Sequence, residues 1–117
     1  MNGKRCIIVH GGFIESLTCL EGTDTDGSYD SLEDFYLKAR DDAYIYGGVE
    51  HGMIIAGHTP TTAMYELPFN HGNVYRAYDE ALDCIFYDLD CGYTFKSIRP
   101  EANLACLRLE DERIFYV

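Results

Sequence analysis

The sequence predicts a mixed α/β domain (α+β-like), with about five or six strands in a mixed sheet and one main helix. Two short apolar runs, residues 6–9 and 53–56, each lead into a glycine and a histidine, as strands do where they leave a buried sheet. Residues 30–42 have the apolar spacing of one amphipathic helix. The 117 residues are predicted to form a single domain, 1–117, because little core would remain for a second.

The first strand is predicted over Lys4–His10 and is expected to be buried on both faces, since the run is apolar and stops at Gly11. A polar, glycine-bearing stretch over residues 21–30 predicts a loop. Asp30 is the predicted N-cap of the helix, with Glu33 reaching back to it. The apolar positions that share one helix face are Leu32, Phe35, Tyr36 and Ala39.

The remaining strands follow the same logic of short apolar runs between turn residues. Met53–Ala56 is the second strand, and residues 62–72 are expected to be irregular because they contain proline and glycine. Three more strands are predicted at Asn73–Tyr78, Leu82–Asp88 and Leu104–Leu109. Residues 110–112 should turn the last of these into a terminal hairpin with Arg113–Val117.

Composition excludes several classes of partner. Nine basic against twenty acidic residues give 9 − 20 = −11, a charge that repels nucleic-acid polymers and anionic membranes but attracts divalent cations. No apolar run approaches the ~20 residues of a membrane span. The five cysteines are scattered without a C-x-x-C pair, which indicates reduced thiols and a cytoplasmic location.

Two histidines stand at the ends of two predicted strands. His10 follows the first strand and His58 follows the second, each beside a glycine. Ligands gather at the carboxyl ends of strands in α/β sheets, and neutral imidazole binds zinc, iron and manganese. The pattern therefore predicts a metal site, although a hydrogen-bonding role in a loop would explain either histidine alone. His51 and His71 lie in polar stretches and are interpreted as ordinary surface residues.

Four segments, in order along the chain, resemble motifs of the calcineurin-like metallophosphoesterases. Residues 9–12 (Val-His-Gly-Gly) resemble "VHAG", and residues 56–61 (Ala-Gly-His-Thr-Pro-Thr) resemble "GHTP". Residues 38–42 (Lys-Ala-Arg-Asp-Asp) are similar to "W-x-R-(D/E)". Residues 87–92 with 104–109 resemble "IDTGC … LACLRL". The sequence departs from these motifs at Lys38, where the family often has Trp, and at Gly11, where the usual Ala is expected to be interchangeable.

The resemblance implies a fold and a set of roles. The chain would be the C-terminal half of a metallophosphoesterase β-sandwich, with His10 and His58 as metal ligands and Arg40 binding the substrate phosphate through its bidentate fork. Arg40 could instead be a helix-end cation or a partner of a neighbouring aspartate. The complete enzyme would hold a divalent metal pair (Mn, Fe or Zn) and hydrolyse phosphoserine or phosphothreonine in proteins, or a dinucleoside polyphosphate. Asp88 and Asp90 are interpreted as loop acids that shape the turn at Gly92.

The carboxylate motifs of that family, "GDxHG", "GDxxDRG" and "GNHE", do not occur in these 117 residues. Two imidazoles without carboxylates would hold one metal ion loosely, or none, so the chain is expected to be a truncated and inactive portion of the enzyme. Self-association through the exposed sheet edge is expected as a consequence. Two alternatives stay open: an acidic interaction domain on this scaffold without catalysis, and a mononuclear metal protein.

Overall fold

The computed structural model describes residues 5–25, 28–57, 73–91 and 104–116. Among these residues the architecture is mixed α/β, with six strands in two sheets and two helices. The helices are α1 (Leu32–Lys38) and α2 (Asp41–Ile45). The strands are β1 (Arg5–Ile8), β2 (Gly52–Ala56), β3 (Tyr75–Asp79), β4 (Cys84–Asp88), β5 (Ala105–Arg108) and β6 (Arg113–Tyr116).

The larger sheet has the strand order β1-β2-β4-β3. β1 and β4 both run parallel to β2, and β3 pairs antiparallel with β4. β2 and β4 are buried along their whole length because they lie in the middle of the sheet and are covered on both faces. The three parallel strands therefore end at the same edge of the sheet, where ligands of α/β sheets are commonly bound.

One face of this sheet packs against the helices. Phe35 and Ala39 from the α1 segment and Ala43 from α2 contact Ile54 and Phe86 of the sheet in one buried cluster. The opposite face packs against the β5–β6 hairpin, where Met53, Ile55, Ile85 and Tyr87 meet Leu107 and Ile114. The Tyr87 hydroxyl also donates to Glu112 Oε1 at 2.5 Å, which ties the hairpin turn to β4. The four-stranded sheet is thus the middle of three layers.

The structure confirms the predicted α/β class and the terminal hairpin, and its six described strands agree with the predicted five or six. These strands form two sheets, of four and two strands, and not the one mixed sheet that was predicted. The structure corrects the helix start: Ser31 is the N-cap and its hydroxyl accepts from the Asp34 amide at 3.2 Å, whereas Asp30 lies one residue outside. It also adds α2, because the chain interrupts the helix at Ala39 and resumes it at Asp41. Within the described residues, no helix is long and apolar enough to cross a membrane.

The burial predicted for the first strand is wrong. β1 lies at one end of the strand order and pairs with β2 on one side. Ile8, its last residue, is 71% exposed, and only the two central residues of β1 are partly buried. A continuous apolar run marks a strand but cannot reveal whether a neighbour covers it. The predicted irregular segment 62–72 lies outside the described residues.

Candidate functional site

The parallel alignment of β1 and β2 continues past their last strand residues. The Val9 amide donates to Ile55 O at 2.9 Å, and the Gly57 amide donates to His10 O at 3.0 Å. The backbone of His10 therefore lies directly beside Gly57, the residue that precedes His58 in the sequence. The side chain of His10 is exposed. His58 itself lies outside the described residues, so its convergence with His10 remains a prediction.

The end of β4 joins the same edge. The Leu89 amide donates to Ala56 O at 2.9 Å, which continues the β2–β4 pairing by one residue. The carboxyl ends of all three parallel strands are thus held side by side. We call this region, formed by residues 9–12, 56–57 and 88–90, the strand-end site.

Two glycines bring the strand-end site against the helices. The Gly11 amide donates to Tyr36 O at 2.6 Å, and a Cβ atom on Gly11 would lie 2.9 Å from both the backbone N and O of Ala39. A Cβ on Gly12 would overlap the Cβ of Ala43. Gly11 is therefore required by close backbone approach, and the expectation that alanine could replace it freely is wrong for this chain.

Arg40 lies at this contact. It follows Ala39 and is the N-cap residue of α2, with an exposed side chain that makes no capping hydrogen bond. Its backbone is therefore next to the Gly11 turn, between the two helices. The charge of Arg40 interacts favourably with the dipole at the C-terminus of α1 but unfavourably with the dipole at the N-terminus of α2. Stabilisation of a helix end therefore explains Arg40 only in part. Asp42, one of the suggested ion-pair partners, is buried and accepts a hydrogen bond from the Tyr29 hydroxyl at 2.7 Å.

Asp88 is the residue of this region whose environment sequence reasoning missed. It is the last residue of β4 and is 1% exposed, on the face covered by the helices. Its carboxylate accepts hydrogen bonds from the Tyr44 hydroxyl and from the Asp90 amide, the latter at 2.9 Å. The second bond does form a turn beyond β4, as expected for a turn-shaping acid; Gly92 lies outside the described residues. Side chains alternate between the two faces of a strand, so Cys84, Phe86 and Asp88 share one face of β4. This alternation could have indicated that Asp88 is buried.

The environment of Asp88 is unusual for a carboxylic acid. Burial raises the pKa of Asp88 from its ordinary 3.8 to about 7, and the nearby Asp90 charge adds to this, although the hydrogen bonds from Tyr44 and the Asp90 amide oppose it. The Tyr44 ring is itself enclosed, with edge contacts to Tyr75 and Phe86 at centroid distances of 5.2 Å each. Asp88 therefore connects the end of β4 to α2 inside the molecule.

The other histidines behave as surface residues or lie outside the described part. His51 is exposed at the opposite edge of the sheet, before β2, with its Nδ1 3.3 Å from Asp83 Oδ2. His71 is outside the described residues. Across ranges 5–25, 28–57, 73–91 and 104–116, no three His, Cys, Asp or Glu side chains form a group that could hold a metal ion. Of the two predicted metal ligands, only His10 lies among the described residues.

Comparison with known proteins finds no matching family model, no matching curated protein and no matching solved structure.

Proposed function

We propose that this chain is the C-terminal portion of a calcineurin-like phosphoesterase, a metal-dependent hydrolase of phosphoric esters. His10 and His58 would bind one metal ion, and Arg40 would bind the phosphate of the substrate. The single observation that supports this most is the hydrogen bond from the Gly57 amide to His10 O, since Gly57 directly precedes His58 in the sequence. The contact of Gly11 with Ala39 brings the arginine motif to the strand-end site.

The chemistry divides between the metal pair and the protein. A bound metal pair (Mn, Fe or Zn) would supply an activated hydroxide and charge stabilisation at phosphorus. The exposed imidazole of His10 would offer a nitrogen ligand, and the guanidinium of Arg40 would offer two parallel N–H donors to phosphoryl oxygens. The carboxylate ligands would come from polypeptide outside these 117 residues. We therefore expect no turnover of an aryl phosphate by this chain alone.

Substrate and setting follow from the same proposal. A phosphorylated protein (phosphoserine or phosphothreonine) or a dinucleoside polyphosphate would present the phosphoryl group to Arg40. None of the five cysteines, all of which lie in the described ranges, forms a disulfide, and we propose a reducing, cytoplasmic setting. The net charge of −11 favours cation binding and opposes binding to nucleic-acid polymers.

Calorimetric titration with MnCl₂ and with ZnCl₂ tests the histidine assignment without relying on catalysis. We expect weak binding of one ion, lost in both His10→Ala and His58→Ala. His51→Ala is the matched control, because His51 is an exposed histidine at the opposite edge of the sheet. Binding that survives loss of either His10 or His58, or that is lost equally in the control, would remove the proposed metal ligands.

A further inference from the structure

A second concave surface lies toward the opposite end of the four-stranded sheet. It has a volume of about 700 Å³ and is bounded by α2, the loop after α2, and the β3–β4 hairpin. The sheet contributes Ile54, Ala77 and Phe86, and the hairpin contributes Asp79 and Glu80. We call this surface the acidic groove. Asp79 ends β3 beside the start of β4, so the acidic rim lies at the opposite end of β4 from the strand-end site. Tyr44 links the two, because it lines the groove and donates to Asp88.

The groove exists because small residues meet where larger side chains would close it. α2 is only five residues long and contributes Ala43, and the following loop contributes Gly47 and Gly48. Ala77 faces the groove from the edge strand β3. The rim includes Ile45 and Tyr78, which are 46% and 52% exposed. Apolar and aromatic surface of this kind, in a concave site, is typical of binding surfaces.

The charges of the groove have one sign. Asp79 and Glu80 are its charged lining residues, and both are acidic and exposed. Asp79 Oδ1 accepts hydrogen bonds from the amides of Ala81 and Leu82 at 2.9 and 3.3 Å. These bonds fix the carboxylate at the groove and leave Oδ2 available to a further donor. A ligand that is apolar with an adjacent positive charge would complement both the walls and the rim.

We propose that the acidic groove binds a peptide segment of a partner protein in which a large apolar side chain is flanked by lysine or arginine. The apolar side chain would lie over Ala77 and Phe86, and the cation would pair with Asp79 and Glu80. A basic peptide fits the acidic rim better than a second copy of this chain, because the chain carries only nine basic residues against twenty acidic ones. This inference does not depend on phosphoesterase activity.

The probe for this proposal is a fluorescein-labelled peptide of sequence Gly-Lys-Phe-Leu-Arg-Gly, measured by fluorescence anisotropy. Two matched peptides replace its basic residues with Glu or its apolar residues with Ser. We expect saturable binding of the first peptide alone, weakened by added salt because the rim charges are exposed. In ¹⁵N-labelled protein, amide shifts should change at Ala77, Asp79 and Cys84, and not at His10 or Gly57.

Variants separate the apolar and charged parts of the groove. Ala77→Leu should fill the groove and abolish binding. Ile45→Ser, at a rim position that is already half exposed, should weaken it and serves if Ala77→Leu fails to fold. Glu80→Gln should weaken binding about two- to five-fold, as for exposed charge pairs. Glu110→Gln, an exposed acid in the β5–β6 turn, is the control and should change nothing.

Three outcomes would overturn the proposal. Equal binding of the acidic and basic peptides would remove the charge complementarity. Unchanged affinity in both Ala77→Leu and Ile45→Ser would remove the groove as the site. A dimer seen by light scattering in the wild-type chain and lost in Ala77→Leu would show that a second copy occupies the groove.

Discussion

Replacement of Asp88 by asparagine should change how the stability of this protein depends on pH. Burial raises the pKa of Asp88 from 3.8 to about 7, a shift of about 3 units. Each unit corresponds to 1.36 kcal/mol, so the folded state loses about 4 kcal/mol of unfolding free energy as the carboxyl ionises. This loss is a large fraction of the ~5–15 kcal/mol by which small domains are stable.

The direction of the pH dependence follows from which state, folded or unfolded, ionises first as pH rises. The unfolded chain releases the Asp88 proton near pH 4, whereas the folded chain keeps it until about pH 7. The stabilising contribution of the buried neutral carboxyl is therefore complete below pH 3.8 and is lost as pH rises to about 7. An asparagine at this position would not titrate, and its side-chain oxygen can still accept from the Asp90 amide. The stability of Asp88→Asn relative to that of wild type should thus be greater at pH 8.5 than at pH 5.5.

Urea unfolding followed by circular dichroism at pH 5.5, 7.0 and 8.5 measures this difference, with the range chosen to stay above the isoelectric point of about 4.5. Of the total loss in unfolding free energy, about 2 kcal/mol falls between pH 5.5 and 8.5 for a group whose pKa is 3.8 in the unfolded state and about 7 in the folded state. The control is Glu110→Gln, an exposed acid in the β5–β6 turn, whose stability should change with pH in parallel with that of wild type. Parallel curves for wild type and Asp88→Asn would refute the reasoning, because they would mean that Asp88 titrates alike in both states.

Two further predictions concern packing and association. Gly11→Ala should cost about 1–3 kcal/mol of unfolding free energy, because its Cβ would lie 2.9 Å from the Ala39 backbone. Gly57→Ala, whose Cβ would meet nothing within 4 Å, should cost about 0.5 kcal/mol or less in the same urea titration; equal costs would contradict the close approach at Gly11. Ile8→Lys on the exposed edge strand should abolish self-association measured by light scattering at high concentration, whereas Leu37→Lys on α1 should not. A monomeric wild-type chain would contradict that expectation.

Local patterns were enough to predict most of the elements. The β5–β6 hairpin follows from two short apolar runs around an acidic turn, and β2 follows from an apolar run that ends at Gly57. The helix start was missed by one residue because Asp30 and Ser31 are both good caps, and only the structure shows which hydroxyl or carboxylate meets the Asp34 amide. The choice between two adjacent caps depends on the local backbone conformation, which a sequence pattern does not specify.

Properties set by neighbours were harder to predict. The exposure of Ile8 depends on which strands flank β1, and the clash at Gly11 depends on where α1 ends. The burial of Asp88 depends on Tyr44 crossing from α2, a contact between residues 44 positions apart. Sequence alone proposed His10 and Arg40 as functional residues, and the structure adds that the segment carrying Arg40 contacts the strand-end site at Gly11.

Paramagnetic broadening by Mn²⁺ in ¹⁵N-labelled protein tests the proposed cation site most directly, since it reports position as well as binding. At a small fraction of one equivalent, the amide signals of His10, Gly11 and Gly57 should weaken first, and those of His51 and Asp79 should persist. The pattern should vanish in His58→Ala. Broadening spread over the acidic surface, or centred on residues 110–112 and unchanged in that variant, would contradict the phosphoesterase proposal.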